Sequence, residues 1–135
     1  MTEIEAEIES RMQRRWNEFY SDVKALLESR SYRILDADLP SEPGVYIVID
    51  EQLKDCYVGK ATRSLKDRVI NKHVSGDESH ALQRAYMDRY PDRLQRRNFI
   101  KENLNVKWLP ISDTQRLADL ERLLIWLLEP SHNRG

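Results

Sequence analysis

Cysteine is nearly missing from this sequence. Cys56 is the only one in 135 residues, which excludes an internal disulfide and any cysteine-rich zinc site and leaves Cys56, in a predicted strand, as a small core residue. Long apolar runs are missing as well. No stretch is long enough to cross a membrane and the chain opens with no secretory signal, so no membrane partner is expected and the protein should be soluble and cytoplasmic. The length suits one compact domain with a helical extension. A large net charge is the third absence. The total is -1, which argues against a nucleic-acid partner, since such domains usually carry a basic footprint. The distribution reverses that argument: residues 1–59 hold seven Lys and Arg against thirteen Asp and Glu, whereas residues 60–107 hold twelve against six. A basic middle beside an acidic start fits one polyanion-facing side, and equally fits two solvated helix faces.

What is present falls into order along the chain. Residues 3–30 read as one long helix. Ile4, Ile8 and Met12 recur at a spacing of four, as do Phe19, Val23 and Leu27, while Trp16 and Tyr20 widen the stripe and Thr2 stands where a cap belongs. Such a stripe most often packs on its own domain, which is the expectation here, with a dimer or partner surface as the alternative. Residues 31–42 form an acidic, proline-containing connector, dividing an N-terminal extension, 1–38, from a second region, 39–135.

The run at 45–49, introduced by Pro43-Gly44 and ended by Asp50, is β-branched and aromatic and reads as a strand; 55–59 is a shorter one. The polar link between them is short enough for a hairpin. If it closes on an even-numbered loop, Tyr46 and Tyr57 share one face of the sheet. Gly59 then lets a helix or a ligand approach the backbone closely, with Lys60 beside it. Ser64 can cap a helix from 65 to about 74 that carries Lys66, Arg68, Lys72 and His73; Gly76 ends it and Ser79 can cap the next. Further helices cover 79–90 and, after Pro91, the approach to Asn103. They carry Arg84, Arg89, Arg93, Arg96, Arg97 and Lys101, interleaved with Tyr86, Tyr90 and Phe99. That pattern suits phosphate contacts and base stacking, and equally suits a helix pair whose aromatics face the core. His80 has no partner at metal-ligand spacing and reads as a surface residue. Residues 105–111 form a third strand, at an edge or ending at Pro110.

Gly44-Val45-Tyr46 and Tyr57-Val58-Gly59, in the two hairpin strands, resemble the paired motifs of the GIY-YIG nuclease family. The family pattern continues with an arginine on the next helix, a glutamate on a later helix and an asparagine soon after it. This chain offers Arg68, Glu121 and Asn133 in that order. Each three-residue motif is weak by itself, but five elements in the right order are a strong signal. The resemblance leaves the N-terminal helix unexplained. Two offsets stand out. Counted from Gly59, Arg68 comes one residue later than in the family, and His73 follows Arg68 by five residues rather than four. A one-residue insertion at 62–64 absorbs the first. The second matters more, because on an α-helix a step of five takes two side chains off one face. It leaves His73 between a phosphate or water contact and a structural histidine.

Glu121 draws attention on physical grounds too. The last helix, 113–128, puts its polar face at Gln115, Asp119, Arg122 and Glu129, and Glu121 falls outside it, among Leu117, Leu124, Ile125 and Leu128. A buried, unpaired carboxylate is costly, so Glu121 needs a cation, a metal or a proton. The resemblance nominates the same residue as a metal ligand; a buried pair with an arginine such as Arg68 is the alternative.

The resemblance implies an α+β domain with a small three-stranded antiparallel sheet flanked by helices, preceded here by the long N-terminal helix. It implies metal-dependent hydrolysis of DNA. In that scheme Glu121 holds one magnesium ion, with manganese as a substitute, and Arg68 stabilises the charge on phosphorus. Tyr46 is the general base and Tyr57 supports it by hydrogen bonding, while Gly59, Lys60, His73 and Asn133 bind substrate. A phenol titrates near pH ~10, so Tyr46 needs positive charge nearby, from Lys60 or Arg68. Two other classes stay open: a catalytically inactive DNA-binding module of the same fold, and a protein-interaction domain led by the N-terminal helix.

Overall fold

The strand that follows the Pro43-Gly44 turn is covered on both sides: in β2 (Gly44–Asp50) every residue is buried except Ile49, which is half-buried. In the computed structural model, which describes residues 1–76 and 80–133, β2 lies inside a four-stranded antiparallel sheet of order β1-β4-β2-β3. The others are β1 (Tyr32–Arg33), β3 (Asp55–Ala61) and β4 (Asn105–Pro110). The sheet thus has one strand more than the three expected. β1 is too short to leave a periodic pattern, and it forms inside the connector because Tyr32 and Arg33 pair with Val106 and Asn105 of β4. With partners on both sides, β4 is an inner strand, and Pro110 marks its end.

β2 and β3 close through a polar link with Asp50 opposite Asp55, Val48 opposite Tyr57 and Tyr46 opposite Gly59. That register satisfies the even-loop condition, so both phenols project from one face. Alternation then sorts the strands into two layers. Tyr46, Val48, Tyr57 and Val106 face a core completed by a helical segment at Asp67–Val74, by α2 (Ala81–Tyr86) and by α3 (Arg93–Asn103). Val45, Ile47 and Val58 face the other core, completed by α1 (Glu3–Glu28) and α4 (Thr114–Leu128).

Local chemistry sets the helix starts. Thr2, Asp92 and Asp113 accept backbone N–H groups in the first turns of α1, α3 and α4. Ser64 accepts the Asp67 N–H at 3.1 Å, as a cap should. The cap expected at Ser79 lies outside the described residues. The segment that Ser64 introduces departs from expectation, because Asp67–Val74 is wound as a π-helix, not an α-helix. Its backbone bonds run from i to i+5, as in Ser75 N–H to the Ile70 carbonyl at 3.0 Å.

α1 docks only through its C-terminal turns. Phe19, Asp22 and Leu26 are buried, with Asp22 held by the Arg116 guanidinium, whose Nε lies 2.9 Å away. Every residue at 1–18 is exposed. The expectation that the apolar stripe packs on its own domain therefore holds for Phe19 and the half-buried Val23 and fails for Ile4, Ile8, Met12, Trp16, Tyr20 and Leu27; the buried leucine is Leu26. From the segment before residue 39, Ile34 is buried in the first core and β1 belongs to the sheet. At the other end the chain turns back over β3, the outermost strand. Asn133 donates to the Val58 carbonyl at 2.7 Å and accepts the Val58 N–H at 2.8 Å, while Ser131 donates its hydroxyl to Asp55. The tail thereby satisfies part of an edge that would otherwise stand open.

Candidate active site

The register of β2 and β3 sets Tyr46 and Tyr57 side by side, ring centroids 6.3 Å apart. Gly59 lies opposite Tyr46, and a Cβ there would overlap Cζ and Oη of the phenol. The close approach anticipated at this glycine is made by the Tyr46 ring. Tyr46 has no exposed surface. Its hydroxyl lies 2.6 Å from Nε2 of His73, and the imidazole stands edge-on to both phenols, at 5.7 Å from Tyr46 and 5.0 Å from Tyr57.

The π-helix accounts for that placement. Where backbone bonds close from i to i+5, each turn takes more residues than the 3.6 of an α-helix, so a step of five swings His73 back toward the side of the helix that carries Arg68, whose charge acts on it. The extra residue that would separate them on an α-helix is absorbed by the wider winding. Gln83 secures the end of this segment: its Nε2 donates to the carbonyls of His73 and Val74, both at 2.8 Å, and its Oε1 accepts from Nε of the buried Arg96 at 2.7 Å. Nothing in the sequence singled out Gln83, whose partner atoms are backbone carbonyls made available only by the π-helix.

Electrostatics follow from burial and from Arg68. Tyr46 is pushed far above the ordinary phenol range, first by burial and then by Tyr57, and the charge and hydrogen bond of Arg68 pull it down without prevailing. Burial likewise raises Tyr57 against the pull of Arg68. His73 is held down at about 3, by burial first and then by the charges of Arg68 and His80. Near neutral pH it is therefore uncharged, and its Nε2 lone pair can accept the Tyr46 hydroxyl proton in a hydrogen bond. Among the described residues, Arg68 Nε and His73 Nδ1 are buried without a hydrogen-bond partner.

Glu121 reaches the same place from the other layer. Lys60 pairs with Val45 across the hairpin, so it projects from the face opposite the phenols, and its Nζ lies 3.5 Å from Oε1 of Glu121. The Glu121 side chain is 22% exposed. It is neither fully buried nor unpaired, and its partner is Lys60, not Arg68, which corrects the argument from desolvation. Its charge still acts on both phenols. Tyr46, Tyr57, Arg68, His73, Lys60 and Glu121 thus converge around one end of β3. Among the described residues no group of three His, Cys, Asp or Glu side chains could hold a metal. One accessible carboxylate suits a magnesium ion that keeps water and takes phosphate oxygens as its remaining ligands, and does not suit an all-protein cage.

Residues 42–134 match the family model described as the GIY-YIG catalytic domain. The chain belongs to the GIY-YIG family. No curated protein matches it significantly.

Within this GIY-YIG domain the remaining sequence candidates divide. Asn133 spends its amide on the Val58 backbone, holding the strand between Tyr57 and Gly59, and a phosphate contact would require that clamp to open. Three of the arginines at 84–101 serve the fold. Arg96 is fully buried, bonded to Gln83 and to the carbonyls of Tyr90 and Pro91. Arg97 holds the carbonyls of Ser75 and Gly76, and Arg89 lies over the rings of Phe99 and Tyr90. Of the interleaved aromatics, Tyr86 and Phe99 are buried in the core, while Arg89 stays exposed and Arg97 half-buried. His80, read as a surface residue, stands 6.4 Å from the His73 ring and is half-buried. No helix among the described residues is long and apolar enough to cross a membrane.

Proposed function

We propose that this GIY-YIG protein is a divalent-metal-dependent endonuclease that hydrolyses DNA phosphodiester bonds. The observation that carries the proposal is Arg68: a guanidinium acting on two phenols, with its Nε buried and unpaired. A planar cation with a donor to spare suits a phosphate whose negative charge grows as it is attacked.

Tyr46 is the proposed general base. Its raised pKa makes a free phenolate inaccessible near pH 7, and the bond to His73 offers a route that avoids one. As a proton from the attacking water reaches the phenol oxygen, the phenol's own proton passes to Nε2 of His73. The water oxygen becomes the nucleophile and no phenolate forms. A phosphate on Arg68 offsets the charge that helps to hold His73 down, which favours the transfer. Tyr57 supports Tyr46 through the shared Arg68. Gly59 keeps the Tyr46 ring seated, Asn133 keeps β3 in place, and Lys60, released from Glu121, contacts phosphate. Glu121 is the residue that would hold the divalent ion, magnesium or manganese, whose chemistry when bound is to stabilise negative charge on the phosphate and the leaving oxygen.

The Lys60 to Glu121 pair favours a second reading, a domain that binds DNA without cutting it, because the carboxylate already has a cation. Incubation of wild type and Glu121→Ala with plasmid, linear, single-stranded and branched DNA, with magnesium, manganese or chelator, separates the two. Metal-dependent cleavage lost in the variant supports the nuclease. Equal DNA binding by both proteins, with no cleavage of any substrate, supports the binding module.

A further inference from the structure

The exposed half of α1 carries a pattern that complements itself. Ile4, Ile8, Met12 and Trp16 are 72%, 56%, 66% and 55% exposed. At 100° per residue they occupy the same arc of the helix, about a third of its circumference, as Phe19, Asp22 and Leu26, which are docked on the domain. The buried face of α1 therefore continues uncovered along residues 3–18, about 24 Å of helix. Charge along this overhang is segregated. Glu3, Glu5, Glu7 and Glu9 have no cation among them, and Arg11, Arg14 and Arg15 have no acid among them. The ion pairs Arg11 with Glu7 and Arg15 with Glu18, along the overhang, are exposed, a setting in which such pairs contribute little.

Reversal about the level of Ser10 maps the segment onto itself. Ile4 and Trp16 stand equally far from Ser10 on either side, as do Ile8 and Met12, Glu5 and Arg15, and Glu9 and Arg11. We propose that the occupant of this face is a second copy of the chain, with the two α1 overhangs paired antiparallel about a two-fold axis at the level of Ser10. That arrangement lays Ile4 against Trp16 and Ile8 against Met12 of the second copy, and brings each acidic segment level with a basic one. A parallel pairing would set acid beside acid. Anchors repeating at a spacing of four form the ridges that interlock in the commonest helix crossings, and one patch serving both copies is the mark of a two-fold interface. The contact is small, which places it among weak, reversible associations.

Sedimentation of the full chain from about 1 to about 200 µM tests the proposal. Wild type is expected to pass from monomer to dimer in that range. Ile8→Asp should weaken the association by about a hundredfold or more, because each interface would bury two carboxylates without partners. Its melting temperature, measured at a concentration where wild type is monomeric, should not fall, since Ile8 lies exposed on the overhang. Orientation is read by cross-linking with a short bismaleimide in a Cys56→Ser background. Chains carrying Glu5→Cys should link to chains carrying Arg15→Cys and not to one another. A wild type that stays monomeric throughout, an Ile8→Asp protein that dimerises unchanged, or predominant linkage of Glu5→Cys chains to each other would overturn the proposal.

Discussion

On one face of the sheet Val45, Ile47 and Val58 meet aliphatic and aromatic side chains from α1 and α4; on the other, at the same depth, Tyr46 and Tyr57 meet an imidazole and a guanidinium. Both faces are buried and both come from the same two strands, separated only by the parity of the residue number. The apolar face asks for volume, which many side chains can supply. The polar face asks for particular atoms: a glycine that leaves room for a ring, a neutral nitrogen for a hydroxyl, and a helix wound to carry that nitrogen. The proposed chemistry therefore falls on the face whose packing is least interchangeable. Stability and activity should respond to mutation differently on its two sides.

Gly59→Ala should test the polar face hardest. The new methyl overlaps the Tyr46 phenol, so the ring must move, at a cost of about 3 kcal/mol, and the bond to His73 is lost with it. Chemical denaturation and cleavage assays should both show the damage.

Acid should come next. An unfolded His73 takes up a proton below about pH 6.5, whereas the folded one resists until about 3. Its contribution is thus complete above the unfolded value and is lost as pH falls toward the folded one. Between about pH 6.5 and 4.5 that loss amounts to roughly 2–3 kcal/mol. A His73→Gln protein, compared by urea unfolding at both pH values, should lose less stability than wild type by that margin.

Asn133→Ala removes both bonds to Val58 and should cost about 1–2 kcal/mol, with DNA affinity unchanged when it is measured well below the melting temperature. A selective loss of DNA affinity would return Asn133 to the phosphate. Smallest is Ile47→Val on the apolar face, about 1 kcal/mol, with cleavage at the wild-type rate. A large loss of activity there would erase the distinction between the faces.

Much of this was legible in the residues. The Pro43-Gly44 turn, the β-branched run after it and the parity of Tyr46 and Tyr57 were enough to place two phenols on one surface, and Ser64 capped the segment it was expected to cap. Glu121 was expected to be buried and unpaired among leucines, whereas its carboxylate keeps some exposure and pairs with Lys60. What escaped depends on distant partners. Tyr32 and Arg33 become a strand only because β4 is there to pair with. The spacing of Arg68 and His73 looked wrong on an α-helix, and only the wider turn of the π-helix, held at its end by Gln83, brings the two side chains toward one side. Arg96 and Arg97 belonged to an apparent basic surface until their carbonyl partners came into view. The stripe on α1 was visible from residue 4 onward, but where the domain stops beneath it is a property of the whole fold.

The central claim, that the polar face cuts DNA through the hydroxyl of Tyr46, is tested most directly by Tyr46→Phe. Cleavage of a labelled DNA substrate would be followed at saturating protein and magnesium, with binding measured in parallel. The ring and its packing survive this change; only the oxygen goes. The account predicts unchanged binding and a cleavage rate lower by about a hundredfold or more. Cleavage at the wild-type rate would contradict it.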